Sequence, residues 1–447
     1  MRSRKQHLSL YVLPLLIGSV GTLFLGRIAI IEIIALLWFL FFGGLKELPL
    51  LFRRDCAFAG LFYLSSLGLL LSDLINSTPI ETMVKGVGAY FLFPTTLLFL
   101  IKFFDRNQLW LLLLTSSITS TFNSEVVAEF GLTQESFKFG FSSALVLIVL
   151  SISLLLIRFL SRFNNVRMVA LISALSITAL AFWGNLRLVA LCAVVALVVD
   201  QACSFTPLRR LILKSRRKMA RLLFFLIAFP LLLVSISLIA TQLFGFFLNL
   251  FSFDFLSQDA LDKTLSQSSG SLGVLFGGRS EIFSSYLAWI ERPLFGWGSW
   301  AADPNDTFNL AGKILMRDIG YDLDIDGIIN HFDRVGTYGL IPTHSALLSA
   351  LVWGGIIGFF PLYIVICQLT INLLESGALK VGYCYPFVFV HVLCLWTLLF
   401  SPFGYSNRLS VALLMAVAVA HFRSLERSKS SLPLLQRNPR YTPNSLV

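Results

Sequence analysis

The 447-residue chain is 56% hydrophobic and 14% aromatic, carries only 13% charged residues, and has a mean hydropathy of +0.81. Soluble domains carry about 25% charged residues, so this composition excludes that class and points to a chain that lives in a bilayer. A formal charge of +11 would suggest nucleic acid in a soluble chain; in a membrane protein the location of the charges outweighs their sum, and nucleic acid is not an expected partner.

In chain order, the N-terminal stretch MRSRKQHLSLYVLPLLIGSV starts basic, as a signal peptide does. Its apolar run continues too far and lacks a small-residue cleavage site, so it reads as a retained first span. Apolar runs of roughly 17–25 residues, each enough to cross ~30 Å of hydrocarbon, then recur to the C-terminal tail. They predict about twelve transmembrane helices, near 8–25, 28–44, 56–72, 84–101, 109–122, 141–160, 168–183, 188–202, 222–249, 345–371, 386–402 and 408–422. The expected fold class is an all-α polytopic membrane protein. It divides into about nine spans over 1–249, a large, mainly helical outer-face loop over 250–344, about three spans over 345–422, and a basic tail over 423–447 that reads as cytoplasmic and disordered.

Charge sets the orientation. With the N-terminus in the cytoplasm and the spans alternating, about 24 of the 35 basic residues fall inside and about 17 of the 24 acidic ones outside, as the positive-inside rule expects. Both termini are then cytoplasmic. The basic segment CSFTPLRRLILKSRRKMAR, 203–221, reads as a contact for anionic lipids and a topology anchor. Cys56, Cys192, Cys203, Cys367, Cys384 and Cys394 lie in or beside apolar runs with no CxxC pair, which argues against a disulfide framework or a cysteine-ligated zinc.

The loop 250–344 is the largest outer segment, and long loops of this kind are usually functional. Three pieces fall on its face of the membrane. In AFWGNLRLVALCAVVALV, Arg187 stands at the junction of the seventh and eighth spans; in GGRSEIFSSYLAWIERPLFGWGSW come Arg279 and Trp289; in PTHSALLSALVWGGIIGFF, His344 opens the tenth span. Each has a plain alternative. Arg187 either acts on a ligand or snorkels to the interface. Arg279 either acts or pairs with a loop carboxylate, and His344 is either chemical or a helix-end histidine. Glu281, two residues after Arg279, reads as a pairing partner or an alternative base.

The order of these pieces resembles the O-antigen ligase and Wzy-type O-antigen polymerase family of lipid-linked glycan transferases. The resemblance rests on an arginine after a small turn; on Arg279, nine residues, Trp289, then Pro293-Leu294-Phe295-Gly296-Trp297-Gly298; and on His344-Ser345-Ala346-Leu347-Leu348 ahead of Gly354-Gly355-Ile356-Ile357-Gly358. It covers roughly 180–370 by motif and the whole chain by span number. Two positions depart from the pattern: Leu186 precedes Arg187 where serine is common, and Ser345 stands where asparagine is commoner.

The resemblance implies a bacterial inner-membrane enzyme with a periplasmic loop. Its donor would be a glycan on undecaprenyl diphosphate, and its acceptor a lipid A–core sugar or another glycan hydroxyl. Arg187 and Arg279 would stabilise the diphosphate leaving group with charge-assisted contacts, requiring no cofactor. His344 would relieve the acceptor hydroxyl of its proton, giving inverting, metal-independent transfer. Trp289 and Trp297, with Trp300, either stack on sugar rings or anchor the loop at the interface, the latter being favoured. Ligase and polymerase differ mainly in acceptor, with a slight lean to ligase. A small-anion transporter is a further class, disfavoured because Glu32 is the clearest ionisable residue in the spans and no internal repeat is evident.

DLDIDGIINHFD, 322–333, carries a separate pattern. Asp322, Asp324, Asp326, Asn330 and Asp333 hold positions 1, 3, 5, 9 and 12, with Gly327 at position 6, matching an EF-hand-like calcium loop except that aspartate replaces the last glutamate. The readings are a structural calcium site that stiffens the outer cap, or an acidic solvated loop, which is favoured; His331 within it reads as surface.

Overall fold

The computed structural model describes residues 21–22, 28–44, 46, 57–121, 142–160, 166–183, 187–204, 218–250, 265–323, 339–379, 385–401, 403 and 405–431. Almost all of these are helical. A two-residue antiparallel ladder, β1 (Gly21–Thr22) with β2 (Ile28–Ala29), precedes α1 (Ile30–Phe41). Then come α2 (Ala57–Ile75), α3 (Ile80–Phe103), α4 (Arg106–Thr121), α5 (Ser142–Leu160), α6 (Val166–Trp183), α7 (Arg187–Ser204) and α8 (Lys218–Leu250). The cap contributes α9 (Val274–Gly277), α10 (Glu281–Glu291), a 3₁₀ turn at Pro304–Asp306 and α11 (Thr307–Asp318). The chain closes with α12 (Ala346–Leu379), α13 (Tyr385–Phe400) and α14 (Tyr405–Ser431).

Each predicted span from 28–44 onward has a helix at its place, whereas residues 8–20 and 23–25 of the first lie outside the described residues. The ladder corrects the all-helical expectation at Gly21–Thr22 and Ile28–Ala29. Two paired residues have no bilayer-length signature, so they were absorbed into the flanking apolar runs. Among the described residues, five helices are long and apolar enough to cross a membrane: Ala57–Ile75, Ile80–Phe103, Ala220–Gln242, Ala346–Ser376 and Asn407–Leu425. Shorter apolar helical segments occur at Ile30–Phe41, Val146–Leu156, Val189–Cys203 and Tyr385–Phe400.

Burial sorts these helices into centre and periphery. Of the spanning stretch of α14, 78% is buried, against 11% for α8, so α14 is central and α8 peripheral. On α8 the exposed side chains include Leu223, Phe224, Ile227 and Leu231, and on α2 Leu64, Leu67, Leu71 and Leu74 form a stripe at helical spacing. Apolar side chains facing outward all along a helix suit lipid, not water.

The tightest helix pair is α2 with α12, where small residues allow backbone approach. A Cβ at Gly68 would lie 2.9 Å from the Gly358 nitrogen. Ser65 and Ser72 donate their hydroxyls to the carbonyls of Gly358 and Trp353, both at 2.5 Å. Ion pairs then join helix ends. Arg408 of α14 forks onto Glu32 of α1 at 2.6 and 2.8 Å, with both side chains buried. Arg221 of α8 pairs with Glu375 of α12.

Candidate active site at the junction of cap and helix bundle

The cap is tied to the bundle through α8. The amides of Val274 and Leu275 donate to Thr241 and Ser237 at 2.9 and 3.1 Å. Gly273, at φ +79°, makes the approach possible, since a Cβ there would meet Ser237 and Thr241. Tyr321 then closes the cap from the far side: its hydroxyl donates to Gly273 at 2.8 Å and its ring packs near Phe283. Burial pushes that phenol up to about 12.

α10 and α11 lie against each other through Gly312, where any Cβ would overlap the Ser284 hydroxyl. The N-terminus of α11 is capped by Asp303, whose two carboxylate oxygens accept from Phe308 and Asn309 amides at 3.1 Å each. Burial raises the Asp303 pKa, opposed by these amides. The strand-like pair of Ala302 with Leu340, flanked by Asp303 N–H to Gly339 and Ile341 N–H to Ala301 at 3.0 Å each, brings the chain back toward α12 and delivers His344 to the junction.

α12 is broken just after it starts. Gly355 has φ +58° and ψ −155°, a region open only to glycine. The carbonyls freed upstream do not go unpaired: Val352 accepts from the Trp297 amide at 2.8 Å, and Trp353 from the Gly298 amide at 3.0 Å. In the other direction Ile356 donates to Pro293 at 2.9 Å. Irregular backbone within a span is tolerated where protein satisfies it, and the turn Pro293–Gly298 does so. A side chain at Gly296 would overlap the Val352 carbonyl, and one at Gly355 the Leu294 carbonyl. Asp73 at the end of α2 fixes the same turn, accepting from the Ser299 amide at 2.5 Å and hydroxyl at 2.7 Å.

The short first half of α12 begins with an N-cap. Ser345 accepts the Leu348 amide at 3.2 Å and donates its hydroxyl to Leu398 at 3.3 Å. Serine is among the good N-caps. His344 precedes this cap with 59% of its side chain exposed, and its Nδ1 lies 3.6 Å from Glu281 Oε1. Glu281 is the first residue of α10 and is only 22% exposed. Among the described residues, its Oε2 is buried without a donor, as are both carboxylate oxygens of Asp306. Lys313 lies in the field of both carboxylates, which oppose the lowering of its pKa by burial.

Of the residues expected from sequence, the structure thus brings His344 to the segment carrying Arg279, which sits two residues before Glu281 with a half-buried side chain and its amide on Phe276 at 2.9 Å. Arg187 opens α7. Trp289 donates its indole N–H to Pro293 at 3.1 Å. Trp297 donates to Ala288 at 2.8 Å, packs on Phe308, and carries Arg292 over its ring at 4.0 Å. Asp322 is held by its backbone, its amide bonding Ser269 and its carbonyl Ser266. Asp324, Asp326, Asn330, Asp333 and His331 lie outside the described residues. Among the described residues no group of three or more metal-ligating side chains converges.

Lys313, Asp306 and Asp303 were missed from sequence. The signal for Asp303 is the stretch DPND ahead of TFNLAGKILMRD, an acidic and proline-bearing helix start. Nothing local marks Lys313. The chain matches no family model, no curated protein and no solved structure.

Proposed function

We propose that this protein is a membrane-embedded glycosyltransferase of the O-antigen ligase or polymerase type. It would act on an undecaprenyl-diphosphate-linked glycan at the outer face of a bacterial inner membrane. The observation that carries the reading is the exposed His344, one ring nitrogen facing Glu281 on the segment that carries Arg279, while the Pro293–Gly298 turn locks into α12 further along, at Val352–Ile356. Two pieces of the motif set, distant in sequence, thereby share one surface. A twelve-span path with cytoplasmic termini fits the two ion pairs that join helix ends, Glu32 with Arg408 and Arg221 with Glu375.

In the proposed reaction the acceptor hydroxyl oxygen attacks the anomeric carbon from the side opposite the diphosphate. The C–O bond to diphosphate breaks, and its electron pair leaves with the lipid carrier. His344 takes the acceptor proton, while Arg279 and Arg187 offset the charge growing on the leaving phosphate. Trp289 and Trp297 border the acceptor side, anionic lipids contact the basic 203–221 segment, and no metal takes part in the chemistry. Any calcium at 322–333 serves the cap.

The test is transfer in vitro with purified protein and lipid-linked glycan. Lipid A–core and a second lipid-linked repeat are offered as rival acceptors, each with and without EDTA. Transfer to core defines a ligase, and chain growth defines a polymerase. Absence of transfer to either, or full activity in both Arg279→Ala and His344→Ala, overturns the reading.

A further inference from the structure

Beneath His344 lies a charged group that the proposed chemistry has not used. Glu281 faces His344 across 3.6 Å and turns its second oxygen inward, where no donor reaches it among the described residues. Behind it α11 supplies Lys313 and the preceding 3₁₀ turn Asp306; Asp306 is 1% exposed and both of its oxygens are buried without a donor among the described residues. Asp303 is the next carboxylate, but its oxygens are committed to the amides of α11. Arg279 lies two residues before Glu281 on the segment leading into α10. Glu281 is thus the carboxylate placed at His344 Nδ1, with Lys313 in the field of both Glu281 and Asp306.

We propose that Glu281 is the positioning residue of His344, holding the ring with its proton on Nδ1 and its lone pair on Nε2 toward the acceptor, with Lys313 and Asp306 setting the strength of that hold. The inference rests on the transferase reading above. A carboxylate against Nδ1 selects the tautomer and stabilises the cation formed when the base takes a proton. The step balances: the acceptor O–H proton moves to Nε2, the oxygen's electron pair forms the glycosidic bond, and the leaving diphosphate departs with the pair of the broken bond. The imidazolium then returns the Nε2 proton to water, restoring the starting tautomer. Glu281 contributes by charge and orientation and never touches substrate. The closing of 3.6 Å to hydrogen-bond distance requires only a small side-chain rotation, and apo contacts of this kind often tighten with substrate bound.

The experiment is the pH dependence of kcat for transfer by the purified full-length protein. The acid limb of that profile reports protonation of the base. Glu281→Gln removes a negative charge, so the limb moves to lower pH and kcat falls about a hundredfold, the low end of what a positioned base supplies, with KM little changed. Lys313→Met removes a positive charge and moves the limb the other way, to higher pH. Glu281→Asp keeps the charge and leaves the limb at its wild-type position with reduced amplitude. A merely structural role lowers the amount of active enzyme and moves no limb. If Glu281→Gln and Lys313→Met both keep the wild-type limb, the inference is overturned while the transferase reading stands. If His344→Ala transfers normally, that reading fails first.

Discussion

The Trp297 amide donates to the Val352 carbonyl at 2.8 Å, so the cap turn is joined to the broken α12 by backbone hydrogen bonds. The sequence Pro293-Leu294-Phe295-Gly296-Trp297-Gly298 is therefore read in the fold as main chain. Its glycines take φ +67° and +86°, and their missing side chains make room for α12 and, at Gly298, for Thr78 and Asp73.

Gly355→Ala is expected to be among the most damaging single changes in the protein. A Cβ would be forced into a glycine-only conformation and onto the Leu294 carbonyl, costing at least about 2 kcal/mol from backbone strain alone. Gly88→Ala on α3 is the control, because a Cβ there meets nothing within 4 Å. Thermal unfolding in detergent should show a clear loss for the first and little or none for the second. Equal effects would mean that the Pro293–Gly298 interlock contributes nothing to stability.

Ser345 supplies a second, smaller expectation. Ser345→Ala removes an N-cap and should cost about 1 kcal/mol, whereas Ser345→Asn should stay within a few tenths. If alanine and asparagine destabilise alike, the contact to Leu348 is not a cap in solution.

The helices were legible and the site was only half so, for the same physical reason. A bilayer-length apolar run is a one-dimensional signal, so the span read at 84–101 appears as Ile80–Phe103 and the one read at 345–371 as Ala346–Leu379. The break at Gly355 is invisible at that level because its partners come from the turn at Pro293–Gly298, far back along the chain. His344 was singled out by its place at a span entrance. Glu281 was read only as a generic pairing partner, and Lys313 not at all, since contacts between α10, α11 and the segment before α12 exist only once the cap folds. Nor does the spacing of the turn glycines announce their neighbours, the backbone of α12 for Gly296 and Thr78 with Asp73 for Gly298.

The buried pair of Glu32 with Arg408 offers a test of what charges do inside this bundle. Arg408→Ala leaves a buried carboxylate uncompensated and should cost about 3–5 kcal/mol. The double change Glu32→Leu with Arg408→Met should recover most of that, because a buried ion pair is often replaceable by apolar side chains of similar size. A double-mutant cycle on melting in detergent reads both. Recovery that fails entirely would indicate that the fork onto Glu32 specifies how α1 docks on α14, and not merely that a charge needs a partner.

Lys313 links the cap's stability to pH with a definite sign. Burial holds its ammonium below the ordinary 10.5, and Asp306 and Glu281 oppose this without reversing it. The unfolded chain therefore binds that proton more tightly than the folded one. Between the folded value and 10.5 the unfolded state carries more protons, so stability rises with pH through that window, and below it the full burial cost is present. Lys313→Met abolishes the term. It should be slightly more stable than wild type at pH 7, and the advantage should shrink as pH climbs toward 10. Melting curves of the two proteins from pH 7 to 10 give the difference directly. A difference that widens with pH would show that the two carboxylates outweigh burial, and Lys313 would then be a net attractive partner for Glu281 beneath His344; one that stays constant would mean that folding leaves the Lys313 proton affinity unchanged.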